Sequence, residues 1–457
     1  MRVLLRRSAE PASASHTSLL HPARLVVLSY AAAALVGAVL LWLPFATVSG
    51  EAPPLADALF TAVSAISVTG LIVVEADGYW SVFGQVVILL LIQIGGFGIT
   101  TMASLLGVVV FRRLGLRSRL STQVELNEAG FGGIRHLIGR IALFYAVVEG
   151  IGFVALSTAV WLTTRSSIGE SLWFGLFHCV SAFNNAGFST SNDNLIGFAG
   201  NPAVLLIVAA LVVVGGIGFP VVLDVARRGA SWRWWSLHTR LTLSATAALL
   251  IAGAVAIGFF EWTNRDTFGA MPAPDRLVNT VFASITPRTA GFNTVDYALV
   301  REPTSLVTQA LMLIGGGSGS TAGGIKVSTF ALLGFVIWSE VRGERDVAVF
   351  GRRVDERAQR QAVTIALLGV GLAMAGTVAL ASVGDLPADA ASFETLSALN
   401  TVGLSTGVTP QLPLGGKLVL TALMLLGRLG PVTVGTALVL RSRETLYRYP
   451  EGRPLLG

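Results

Sequence analysis

Four short segments share a central glycine and the residue types around it: Ser67-Val-Thr-Gly70-Leu, Asn184-Asn-Ala-Gly187-Phe, Arg288-Thr-Ala-Gly291-Phe and Asn400-Thr-Val-Gly403-Leu. Their glycines stand 117, 104 and 112 residues apart, a near-constant period that reads as an internal repeat. The chemistry open to such segments is that of backbone carbonyls. Carbonyls can face an ion only where the chain leaves regular structure, and glycine permits the dihedrals this requires. Irregular backbone of this kind is tolerated at membrane depth only where it lines a wet cavity. No ring of Asp or Glu occupies these positions, which disfavours a divalent-cation filter of the carboxylate type.

The match extends beyond the glycines. Ser64-Ala65, Ser181-Ala182 and Ser397-Ala398 stand six and five residues upstream, where the third copy departs with Ile285-Thr286. Thr190, Thr294 and Thr406 stand three residues downstream, where the first copy departs with Val73. A single copy would read as a turn in an outer loop; four in register argue for a shared purpose.

Between the third and fourth copies an apolar run, 306–338, is interrupted by Gly315, Gly316, Gly317, Ser318, Gly319, Ser320, Thr321, Ala322, Gly323 and Gly324, with Lys326 just beyond. A glycine-rich stretch near a lysine invites a phosphate-loop reading. That motif needs Gly-x4-Gly-Lys-Ser/Thr, and counted from Gly319 the chain has Ile325 where the lysine belongs. The motif fails at its essential position. Glycine and serine here instead loosen a helix beneath the repeated glycines, so that the segment can take more than one conformation; close helix packing through small residues is the plainer alternative.

Arg428 lies in the middle of an apolar stretch, 418–440, where a charge is costly and faces either a cavity or a partner. Pairing with a structural acid or with backbone carbonyls is the competing reading. Glu149, within 137–162, is the other intramembrane charge, and a structural pairing with Arg428 or an interhelical hydroxyl is expected. Asp224, beside Arg227 and Arg228, reads as a solvated residue at a helix end. His178 and Cys179 fall in the second short segment, where packing is the expectation. Cys179 is the only cysteine, so no intrachain disulfide and no Cys-based metal site can form.

The elements that must hold these residues are membrane helices. Of the 457 residues, 53% are hydrophobic and 13% charged, and the mean hydropathy is +0.71, more apolar surface than a soluble protein can cover. Apolar stretches of about the ~20 residues that span a bilayer begin near Leu25, Val82, Leu137, Val204, Leu241, Val363 and Leu418, with the broken run 306–338 as an eighth. The basic segments 1–24, 112–140, 227–240, 342–360 and 441–457 hold 24 of the 32 basic residues, and the intervening connections six. The positive-inside rule places both termini and the basic segments in the cytoplasm. Each outer connection contains a segment too short to span, at 55–67, 171–183, 276–287 and 388–399, the mark of a re-entrant element whose C-terminal partial negative charge points inward. A net charge of +6 is thus a topology signal, and nothing suggests a nucleic-acid partner.

Val-Thr-Gly-Leu, Phe-Asn-Asn-Ala-Gly-Phe-Ser, Thr-Ala-Gly-Phe-Asn and Asn-Thr-Val-Gly-Leu-Ser, together with Gly-Ser-Thr-Ala-Gly-Gly-Ile-Lys in the broken run, resemble the Trk/Ktr/HKT potassium transporters over nearly the whole chain. With eight main helices and no extra N-terminal pair, the chain is most similar to the KtrB-type membrane subunit. The resemblance implies a potassium selectivity filter from Val68, Thr69 and Gly70, Asn185, Ala186 and Gly187, Thr289, Ala290 and Gly291, and Thr401, Val402 and Gly403. It makes 315–324 with Lys326 an intramembrane gating loop and Arg428 a positive barrier in the pore. In that family a serine at the first filter position accompanies sodium permeation in some plant members, so Gly70 points to potassium. A homodimer and a separate cytoplasmic nucleotide-binding subunit of the KtrA or TrkA kind are also implied. No cofactor is expected on the chain; potassium is the cargo, and sodium as activator or co-ion stays open.

The expected architecture is therefore an all-α membrane protein of the cytoplasmic membrane: four helix, pore-helix/loop, helix repeats at 25–111, 137–226, 241–338 and 361–440 around a pseudo-fourfold pore. Cytoplasmic segments at 1–24, 112–136, 227–240, 339–360 and 441–457 join or flank them. No nucleophile-elbow, paired-His or redox spacing supports an enzyme. An embedded enzyme would gather titratable groups where this chain gathers glycines. An alternating-access symporter commonly shows an inverted repeat, whereas every unit here starts from the same side.

Overall fold

A computed structural model of the chain describes residues 22–74, 78–113, 131–164, 166–191 and 193–440. Most of the expected N-terminal segment, the 114–130 part of the first basic loop and the 441–457 tail lie outside the described residues. The chain is mostly helical, as its composition requires. Four times a long helix is followed by a short one, an extended segment and another long helix or helix pair. The first group is α1 (Pro22–Leu41), α2 (Leu55–Ile66) and α3 (Val82–Arg113), and the second α4 (Phe131–Thr164), α5 (Ile168–Phe183), α6 (Pro202–Ile217) and α7 (Phe219–Arg228). The third is α8 (Leu237–Glu261), α9 (Ala273–Ile285), α10 (Glu302–Met312) and α11 (Val327–Val341). A hairpin of β1 (Ala348–Val349) and β2 (Arg352–Arg353) leads to the fourth: α12 (Glu356–Gly384), α13 (Ala388–Leu399) and α14 (Leu414–Leu440).

Among the described residues, Val82–Met102, His136–Thr164, Leu237–Glu261 and Glu356–Gly384 are long and apolar enough to cross a membrane, and α6 with α7 makes a fifth if taken as one span. The chain is a multi-pass membrane protein. Its outer surface carries Leu143, Ile151, Val154, Phe259 and Leu367 exposed, while Ser64, Ser67, Thr69, Ser181, Asn184 and Ser397 are buried. Apolar residues outside and hydroxyls and amides inside is the distribution a bilayer imposes, because polar groups must find partners within the protein.

The four short helices have 12, 16, 13 and 12 residues, so at 1.5 Å per residue none can cross a ~30 Å hydrocarbon layer. Each carries an acid in its first turn, Asp57, Glu170, Asp275 and Asp389, which complements the positive end of the helix dipole. On α5 the cap is reciprocal: Glu170 N donates to Ser167 Oγ at 3.2 Å, and Ser167 N donates to Glu170 Oε2 at 3.0 Å.

Packing between the groups follows one rule. The last long helix, or half-helix, of each group touches the short helix of the next: α3 meets α5, α6 meets α9, α10 meets α13 and α14 meets α2. The fourth contact returns to the first group and closes a cycle. It is reinforced by an ion pair, Lys417 Nζ to Asp57 Oδ1 at 2.7 Å.

One break was not anticipated. The apolar run beginning near Val204 turns by 89° between α6 and α7. Gly218 sits at the corner with φ 96°, and Pro220, without an N–H, stands in the first turn of α7. Asp224 on α7 is also not simply solvated: it accepts hydrogen bonds from Ser236 N at 2.9 Å and Thr239 Oγ1 at 2.6 Å at the start of α8, and pairs with Arg228 at 2.6 Å.

Candidate functional site

The extended segments after the four short helices converge. A Cβ added at Gly70 would lie 2.3 Å from the Ala186 carbonyl oxygen; at Gly187, 2.8 Å from the Gly291 Cα; at Gly291, 2.4 Å from the Val402 oxygen; and at Gly403, 2.1 Å from the Thr69 oxygen. Each glycine thus abuts the next segment, and the fourth abuts the first. Residues separated by more than 300 positions close a ring of backbone.

Within each segment the backbone alternates. Val68, Asn185, Thr289 and Thr401 have φ of 57°, 59°, 69° and 51°, and two residues on Gly70, Gly187, Gly291 and Gly403 have φ of 91°, 69°, 75° and 95°. Residues between them lie outside this left-handed region. Alternation of this kind turns successive peptide planes so that their carbonyls face one side. Three of the four non-glycine positions are β-branched, for which a positive φ is an outlier, at about 1–2 kcal/mol each; the surrounding packing must hold them there.

Part of that hold is a hydroxyl at the foot of each segment. Ser64 Oγ donates to Leu71 O at 2.8 Å and accepts from Gly70 N at 3.2 Å. Ser181 Oγ donates to Phe188 O at 2.7 Å, and Ser397 Oγ accepts from Gly403 N at 3.0 Å. In the third copy, whose sequence departs here, Thr286 is shifted by one residue yet its hydroxyl donates to Phe292 O. The departure is a change of register, and the bond is kept.

Residues 315–324 leave α10 and return to α11 as a closed loop. Gly315 N donates to Ile325 O at 2.9 Å and Val327 N to Gly316 O at 3.0 Å, joining its ends. It is wedged against the α6–α7 corner, with Gly317 N donating to Gly216 O at 2.8 Å and Phe219 N to Gly319 O at 3.3 Å. On its other side it reaches the fourth segment: a Cβ at Gly323 would fall 2.0 Å from Thr401 Oγ1. Ser320, Thr321 and Ala322 are buried. Ser320 Oγ donates to Gly317 O at 2.6 Å, Ser318 and Ser328 hydroxyls lie 3.2 Å apart, and Thr321 Oγ1 donates to Phe183 O at 3.3 Å.

Three cations hold the loop by its carbonyls. Arg428 Nη1 donates to Thr321 O at 2.6 Å and its Nη2 to Gly95 O on α3 at 3.3 Å. Lys326 Nζ donates to Ala322 O at 2.6 Å. Arg288 Nη2 donates to Gly315 O at 3.1 Å. Of the two expectations for Arg428, cavity or backbone partner, its contacts are with carbonyls.

Glu149 does not meet Arg428 or a hydroxyl. It accepts from Gln93 Nε2 at 3.0 Å and from Asn184 Nδ2 at 3.2 Å, tying α3 and α4 to the end of α5. His178 is held by packing, its Nδ1 3.0 Å from Phe174 O, its Nε2 2.9 Å from Ser189 Oγ and its ring stacked on Phe174. The sequence reading missed Glu394, fully buried on α13, which accepts from Ser405 Oγ at 2.8 Å, Thr406 N at 2.8 Å and Thr409 Oγ1 at 2.6 Å just beyond Gly403. An acid in a short apolar helix followed by the hydroxyl run 405–409 was the available signal. Arg288 was quoted only as part of a motif. No group of three His, Cys, Asp or Glu residues able to hold a metal occurs among the described residues.

A family model described as a cation transport protein, TrkH, matches residues 25–445. The Ktr system potassium uptake protein B of Bacillus subtilis (strain 168) is 37% identical over 438 residues, 95% of this chain and 97% of the relative. The protein of the same name from Vibrio alginolyticus is 37% identical over 441 residues, 95% and 94% of the two chains. The potassium/sodium uptake protein NtpJ of Enterococcus hirae is 36% identical over 444 residues, 96% and 98%. Among solved structures, the crystal structure of the potassium transporter TrkH from Vibrio parahaemolyticus matches with a TM-score of 0.70 at 20% identity, covering 93% of this chain and 86% of that one; likeness at that identity bears on the fold.

Proposed function

Because the chain belongs to the TrkH family of cation transport proteins, we propose that it takes up potassium across the cytoplasmic membrane through the ring formed by residues 68–70, 185–187, 289–291 and 401–403. The observation that carries this reading is the cyclic contact of the four glycines, each against the backbone of the next copy. A cation on the axis of such a ring exchanges its water for backbone oxygens, and the short helices aim their negative ends toward it. Relatives named for potassium uptake over nearly their full length support the choice of ion; the relative named for potassium and sodium leaves sodium as activator or co-ion.

The loop 315–324, with Lys326, is the gate: it lies against the fourth segment and the α6–α7 corner, and conduction requires it to move. Arg428 adds a fixed positive charge beneath the ring and anchors the loop. The basic segments face the cytoplasm, where a nucleotide-binding subunit drives the gate, and two copies of the chain form the working unit.

Growth of a potassium-uptake-deficient bacterium on low potassium, with a compatible regulatory subunit, tests the reading. Wild type should rescue. Gly70→Ser must displace the Ala186 carbonyl, and should lower potassium-over-sodium selectivity by about tenfold or more, a cost of about 1.4 kcal/mol. A stably expressed Gly70→Ser with wild-type selectivity would remove the filter from this site.

A further inference from the structure

The position three residues before each ring glycine is occupied by Ser67, Asn184, Arg288 and Asn400. Three of these turn back on their own short helix. Ser67 Oγ donates to Val63 O at 2.6 Å, Asn184 Nδ2 to Val180 O at 2.9 Å and Asn400 Nδ2 to Leu396 O at 3.0 Å, each four residues back. Asn184 also donates to Gln93 and Glu149, but of the four only Arg288 reaches the loop, donating to the carbonyl of its first residue, Gly315. It is buried, and among the described residues no carboxylate pairs with it and its Nε has no partner.

A charge buried without a counter-ion is costly, and its neutral equivalents in the other copies show that the ring does not need it. What Arg288 adds is a connection. Thr289, its neighbour, is the strained residue of the third segment, so the side chain grasping the loop belongs to the residue directly adjoining the ring backbone. We infer that Arg288 is a positioning residue that latches the loop to the ring and couples the state of one to the other. It works as a pair with Arg428: one arginine holds the loop at Gly315, the other at Thr321. Opening requires both carbonyls to be released. Displacement of Arg288 on opening also shifts the backbone at Thr289, so ion occupancy of the third quadrant and loop position are linked.

The latch rests on the gating role proposed above for residues 315–324, and its test separates the two. Arg288→Asn makes the third copy resemble the second and fourth, whose asparagines fold in this setting; Arg288→Gln is read in the same way if the first variant does not accumulate. In a Cys179→Ala background, Ser320→Cys is labelled with a soluble thiol reagent in the full chain reconstituted without a regulatory subunit, and potassium leak from the same vesicles is followed. Losing one hydrogen bond from a charged donor should speed labelling and leak by on the order of tenfold. With Arg428→Ala added, the combined gain should fall short of the product of the two separate gains, since both act on one loop. Wild-type labelling in a folded Arg288→Asn, or gains that multiply independently, would overturn the latch. If no variant leaks potassium, the gating role falls, while labelling still decides whether Arg288 holds the loop.

Discussion

A hydroxyl one methylene from the chain sets the foot of each ring segment, and its contribution can be ranked. Ser64 both donates to Leu71 O and accepts from Gly70 N, whereas Ser397 accepts only from Gly403 N. With a net contribution of about 1 kcal/mol per bond and more where a buried group is left unpaired, Ser64→Ala should lower the melting temperature in detergent more than Ser397→Ala does. Arg428 is testable at the same scale. Removing its guanidinium frees Thr321 O and takes a positive charge from beneath the ring, so Arg428→Ala should raise maximal potassium uptake by on the order of tenfold, at about 1.5–3 kcal/mol per charge-assisted bond; tracer uptake at saturating potassium measures it, and an unchanged maximum would leave Arg428 a purely structural anchor. Single residues were legible in the sequence where chemistry demands a type at fixed spacing, as with Gly70, Gly187, Gly291 and Gly403. They were illegible where the partner is distant: nothing near Glu149 announces Gln93 or Asn184, 56 and 35 residues away.

Among the elements, the α6–α7 corner bears most directly on the proposed gate. Gly218 packs against the loop so closely that a Cβ would lie 3.1 Å from Ser318 O, and its φ of 96° is one that side chains avoid. Gly218→Ala should therefore cost about 1–3 kcal/mol and loosen the loop's seat, seen as a lower unfolding temperature together with faster basal potassium leak. A lower temperature with an unchanged leak would mean that the corner supports the fold but not the gate. The long helices were legible because ~20 apolar residues have few other uses. The corner was not, since hydropathy is blind to direction: Gly218-Phe-Pro220 carried the signal, and the surrounding apolar run concealed it. For the short helices the acids Asp57, Glu170, Asp275 and Asp389 mark the first turns, so their starts could have been placed more closely than the apolar pattern alone allowed.

At the scale of the whole molecule, a chain with two ends has been closed into a cycle, and the seam lies between α14 and α2. The Lys417–Asp57 pair crosses it with side chains only 17% and 12% exposed. Asp57→Asn leaves the lysine without its counter-charge and should destabilise the seam by about 2 kcal/mol or more; differential scanning fluorimetry in detergent should show the drop, and Asp57→Leu with Lys417→Met should recover much of it. A double variant no more stable than Asp57→Asn would mean that the pair itself, and not the relief of an orphan charge, holds the seam. Closure was foreseeable from four copies in register, but not its sense.

That sense has a genetic reading. A substituent on any ring glycine meets the copy ahead most closely, Gly70 the second, Gly187 the third, Gly291 the fourth and Gly403 the first; at Gly291 it also comes 3.1 Å from the Gly187 Cα of the copy behind. Damage at one quadrant is inherited by its successor. Suppressors of a Gly70 allele should therefore accumulate around Ala186 and leave the segment around Val402 untouched, so that a screen for revertants would reveal the handedness of the ring without any structure at all.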